Sequence, residues 1–99
     1  MKKINLIYED DYNDVDILLV PDDVADNIDD VVRCFFSWLR VEENASRFMV
    51  TTASGHKGLS VDTKEFIWWL NNIWIRNDSE AKVIVQHTSY QNEYPRADF

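Results

Sequence analysis

Apolar and polar positions change period several times along the 99 residues, and each change marks an element. Lys3 to Tyr8 alternates, with Ile4, Leu6 and Tyr8 on one side, and Val15 to Val20 is aliphatic and β-branched, so both read as strands. Glu9 to Asp14 becomes their connecting loop, which suits an antiparallel hairpin. Pro21 followed by Asp22 and Asp23 signals a helix start, because carboxylates near the first turn meet orphan N–H groups and the positive end of the macrodipole. On a wheel running to about Arg40, Val24, Ile28, Val31, Val32, Phe35, Phe36, Trp38 and Leu39 gather in one broad arc. Asp22, Asp26 and Asp29 lie opposite with Arg33 and Arg40, and Asp23 and Asp30 flank them.

Glu42 to Ser46 reads as a polar turn, Arg47 to Thr52 as a third strand, and Ala53 to Ser60 as a loop holding Gly55 and Gly58. Asp62 with Glu65 three positions later resembles a capping box, so a second helix is expected from there to about Ile75. Phe66, Ile67, Trp69, Leu70, Ile73 and Trp74 fill one side of it. Trp68 and Ile75 fall on the opposite side as a second apolar stripe. Lys82 to His87 reads as a fourth strand, and Thr88 to Phe99, polar and containing Pro95, as a loosely held tail. The order ββαβαβ predicts a single domain over residues 1–99, of α+β (or α/β) class. Its expected form is a small mixed sheet of about four strands with two helices packed on one face.

Composition narrows the class. With 45% apolar and 13% aromatic residues and only two Gly and two Pro, the chain has material for a packed core and little of a linker's character. Its apolar stretches fall well short of the roughly 20 residues that cross a bilayer, and no secretory apolar run follows Met1. A single cysteine, Cys34, leaves no internal disulfide and no multi-cysteine zinc site. A cytoplasmic protein is expected, with Cys34 a small hydrophobe beside the apolar arc.

Charge changes the picture most. Residues 1–30 hold ten acids (Glu9, Asp10, Asp11, Asp14, Asp16, Asp22, Asp23, Asp26, Asp29, Asp30) against Lys2 and Lys3, while residues 31–99 hold eight acids and eight bases. The net charge of −8 therefore lies wholly in the first third. Such a field steers a basic partner inward and repels nucleic acid and anionic membranes. Aspartate is also common in turns and helix starts for purely local reasons.

Candidate chemistry is sparse. Thr51 to Gly58 gathers hydroxyls, His56, Lys57 and two glycines, but its Lys precedes the second Gly, unlike a P-loop, and Ser54 does not stand in Gly-x-Ser-x-Gly. The two histidines, His56 and His87, show no ligand pair at helical spacing, and the Asp10 to Asp16 loop lacks the pattern of a calcium-binding EF-hand. No metal, cofactor or catalytic residue is predicted, and the chain is not expected to be an enzyme. Trp68 is either exposed, as a binding anchor or, with Ile75, a homodimer contact, or covered, with the helix lying between two layers or its last turn frayed so that Ile75 turns inward.

The expected function is that of an acidic inhibitor whose ten early carboxylates meet a basic protein partner. In size, acidic first third and mixed helix–strand order the chain resembles the small bacterial immunity proteins that protect a cell from a cognate toxin, as in contact-dependent growth inhibition. The resemblance implies a toxin that is often a nuclease, covered at its basic cleft in a one-to-one complex. It assigns no residue a role. The alternatives are a homo-oligomeric structural or adaptor domain using Trp68 and Ile75, and a small hydrolase built on the Ser54 to Gly58 loop.

Overall fold

The computed structural model describes residues 1–99 and has an α+β architecture. Strands β1 (Lys2–Ile7) and β2 (Val15–Val20) form an antiparallel hairpin in register Lys2↔Val20 to Ile7↔Val15. Helices α1 (Asp22–Asp26), α2 (Ile28–Leu39) and the short α3 (Glu42–Ala45) follow. Next come a small hairpin, β3 (Met49–Thr51) and β4 (Lys57–Leu59), and helix α4 (Thr63–Trp69), which runs into a π-helical turn at Leu70–Trp74. Strands β5 (Lys82–Thr88) and β6 (Arg96–Asp98) complete a four-stranded mixed sheet in the order β5-β2-β1-β6, with β6 parallel to β1. No helix is long and apolar enough to cross a membrane.

The expected fourfold sheet forms, but with a different member. Arg47 to Thr52 does contain a strand, yet β3 pairs only with β4, a segment expected to be loop, in a separate sheet. Its place in the main sheet is taken by β6, from the segment expected to be a loose tail. That segment is held for a physical reason. β1 and β2 are buried on both faces, so the sheet needs a second cover. Ile4, Leu6, Leu18 and Val20 pack under the helices, while Ile7, Val15 and Ile17 pack against Tyr90 and Tyr94 of the crossing that joins β5 to β6. The fully buried Asn5 side chain stitches this crossing down: its amide donates to Gln91 O (2.8 Å) and Tyr94 O (3.1 Å), and its oxygen accepts from Gln91 N (2.9 Å). Ala97 is fully buried, and the Phe99 ring meets Tyr8, Phe35, Phe36 and Phe66.

Both helical segments depart from the regular wheels. The first breaks at Asn27 (φ −124°), whose side chain donates to Asp23 O. Phe36 of the apolar arc is 38% exposed, Trp38 is half-buried, and Cys34 lies on the surface rather than in the core. In the second helix, the π turn inserts one residue, with Ile75 N bonding Leu70 O. The phase slip turns Ile73 and Trp74 outward, and brings Ile75 in against the core. Asn71 holds the return loop through paired bonds with Ala81 N and O.

Candidate functional site: the acidic surface

The ten early acids do not share one role. In the β1–β2 loop, Glu9 and Asp10 both take left-handed φ (52° and 58°) after Tyr8, and Asp11 N bonds Tyr8 O, as in the tight turns that match strand twist. Asp11 accepts from Asn13 N, a local Asx turn. Asp14 meets His87 Nδ1 at 2.7 Å.

Asp16 is not on the surface at all. It shares strand parity with Leu18 and Val20, so it points under the helices, and it is 5% exposed. One carboxylate oxygen accepts from the Thr63 hydroxyl and the other from His87 N (3.1 Å). The Tyr8 hydroxyl joins Thr63 at 2.7 Å, and burial pushes its pKa up to about 12. His87 reaches this position through an irregular β5: pairing with β2 slips twice, and His87 itself is left-handed (φ 55°). As a partner contact, Asp16 is therefore corrected to a structural group joining β2, β5 and α4.

The hydrogen bond and negative charge of Asp14 raise the His87 pKa. A group raised on folding adds stability that is fully present below the unfolded pKa, about 6.5, and is lost as pH climbs through the folded value. A proton NMR titration is expected to place His87 above that reference, and Asp14→Asn to bring it back toward it. An unchanged titration in the variant would remove Asp14 as the cause.

Four acids carry cationic partners of their own, Asp10 with Arg96, Asp22 with the Met1 amine (2.8 Å), Asp26 with Lys2 (2.6 Å) and Asp30 with Arg33, and a fifth, Asp14, bonds the His87 imidazole. Glu9, Asp11, Asp23 and Asp29 have none. Asp22 and Asp23 begin the helical layer at the end of the hairpin away from the loop, about 20 Å off. Helix α2 then runs back, and β6 closes the gap. A groove of about 710 Å³ lies between the start of α2 and β6, lined by the carboxylates of Asp26, Asp29, Asp30 and Asp98 and the guanidiniums of Arg33 and Arg96. Arg96 bonds Asp98 (2.6 Å), the Tyr12 hydroxyl (2.5 Å) and Asp10. These contacts raise its pKa further. Through Arg96, the acidic loop and the acidic helix are joined along one edge of the molecule.

Trp68 is half-buried, with Trp38 and Phe48 against its ring and the Arg47 guanidinium 5.5 Å from its centre. It and Ile75 pack partly buried on the core, so of the readings open for this stripe the exposed one is set aside and Ile75 turns inward. Strongly exposed apolar side chains occur instead on the small hairpin, at Met49, Val50 and Leu59. In the hairpin's turn, Ser54 bonds the Thr52 hydroxyl (3.0 Å), which also accepts from His56 N (3.2 Å), while Gly55 takes φ 84°. These polar groups close the turn on itself. Asp62 and Glu65 form the capping box expected of them. The hydrogen bond from Glu65 lowers the Asp62 pKa, and burial raises that of Glu65.

Comparison with protein-family models, curated proteins and solved structures finds no match to this chain.

Proposed function

We propose that this chain is an acidic, non-enzymatic inhibitor of a basic protein, acting in the cytoplasm as an immunity protein against a cognate toxin. The observation that carries this reading is the groove between α2 and β6. It sets four carboxylates against two guanidiniums and continues through Arg96 to the Asp10 loop. Carboxylates so placed compete for the Arg and Lys side chains that a nuclease uses to hold phosphates, and a steered encounter lets the inhibitor bind before damage occurs. The proposed complex is one to one and covers the toxin's basic cleft. The contact residues are Glu9, Asp10, Asp11, Asp14, Asp22, Asp23, Asp26, Asp29 and Asp30, with Asp98 added, Asp16 withdrawn as buried and Trp68 withdrawn as packed on the core.

The test is capture with the tagged protein from its source cell, at low and moderate salt, followed by association kinetics with what is recovered. A basic toxin or nuclease in stoichiometric amount is expected. Neutralising Asp26, Asp29 and Asp30 together should slow association about tenfold or more at low salt, with little effect on stability because Asp29 is unpaired and the ion pairs of Asp26 and Asp30 are exposed. Recovery of the chain alone at both salts would overturn the reading. It would favour self-association through Met49, Val50 and Leu59, the apolar side chains that the hairpin leaves exposed.

A further inference from the structure

The groove's second wall is a strand edge, and that edge is open. In the parallel pairing with β1, Asn5 N donates to Pro95 O (2.8 Å) and Phe99 N to Ile7 O (2.9 Å). Pro95, Ala97 and Phe99 thus turn their backbone polar groups toward β1. The N–H and C=O groups of Arg96 and Asp98 point the other way, out of the sheet and along the groove. The opposite edge, on β5, is broken by two register slips and the left-handed His87, so the sheet's regular open edge is β6.

The geometry points to an extended, alternately basic segment of a protein partner adding to β6 as a fifth strand and setting every second side chain against Asp26, Asp29 and Asp30. This rests on the inhibitor reading above and specifies its mode of contact. A strand next to β6 lies about 4.8 Å away and repeats its side-chain direction every two residues. Side chains on the helix side of such a strand meet the carboxylates of α1 and α2. Those on the other side meet Arg96 and Asp98, where a second row of cations would face the Arg96 guanidinium. The recognised pattern is therefore basic–neutral–basic–neutral rather than a continuous basic run. Backbone bonds to Arg96 and Asp98 supply the register, and the carboxylate wall supplies selectivity.

The experiment uses the intact, nitrogen-15-labelled chain and four capped hexapeptides at low ionic strength: (Arg-Thr)3, (Glu-Thr)3, and two versions of (Arg-Thr)3, one with its threonine nitrogens methylated and one with its arginine nitrogens methylated. With (Arg-Thr)3, the amides of Arg96 and Asp98, on the open side of the edge strand, are expected to shift and become protected from exchange. One of the two methylated versions should bind about tenfold more weakly, since it lacks the N–H groups that face β6. (Glu-Thr)3 should not bind. Equal binding by all arginine peptides, with shifts confined to the Asp22–Asp30 face, would overturn strand addition and leave a purely electrostatic surface. No shift with any arginine peptide would overturn it too. Neither result touches the capture experiment, whose failure would count against the inhibitor reading itself.

Discussion

Phe35→Ala is expected to cost about 3–5 kcal/mol of folding stability, while Phe36→Ala, one residue on, should cost under about 1 kcal/mol. The Phe35 ring is fully buried at the centre of the aromatic cluster, with the rings of Phe36, Trp38, Phe66, Trp69 and Phe99 at 5.2–6.4 Å. Its loss leaves a cavity where α2, α4 and the chain's last residue converge, and neighbours of that size cannot collapse into it without leaving their own contacts. Phe36 is 38% exposed and lies at the cluster's rim, against Phe35 and Phe99. Urea unfolding of both variants checks the contrast. Similar losses for the two would mean that the first helix is rotated from the orientation described.

Asp16→Ala is expected to destabilise the fold by about 2–4 kcal/mol, lowering the melting temperature by some 10–25 °C for a domain of this size. The buried Thr63 hydroxyl and the part-buried His87 N–H both lose their acceptor, and the three elements they join lose their common tie. Asp16→Asn should recover part of the loss, because its one carbonyl oxygen still accepts from one donor. The size of the effect separates Asp16 from the other nine early acids, which are all exposed and whose neutralisation is expected to change stability little. Unchanged stability in Asp16→Ala, with weakened capture of a partner, would place this carboxylate on the binding surface after all.

Much of the fold was legible because local signals are strong where the chain enters an element. Pro21 with Asp22 and Asp23 starts α1, Asp62 with Glu65 starts α4, and the aliphatic runs of β1, β2 and β5 form strands close to the positions their patterns predict. Where an element ends or changes pitch is another matter. The break at Asn27 and the π turn at Leu70 have no sharp sequence mark, since each trades a regular backbone bond for tertiary contacts made elsewhere. One missed signal was available: Asp16 alternates in phase with Leu18 and Val20, and strand parity alone would have sent it inward. The role of Asn5 was less visible, because the groups it bonds lie more than 80 residues away.

The sequence by itself determined the α+β class, the strands and helix starts, and the confinement of net charge to the first thirty residues, because these depend on residue type and short spacing. Only the tertiary structure decided which acids are available, that residues 88–99 cover the sheet and supply its edge strand, and that Trp68 is half-buried against the core. Those outcomes depend on long-range closure. A sheet buried on both faces needs a cover from somewhere in the chain, and the segment that reaches it brings Arg96 between two groups of carboxylates that the sequence keeps apart.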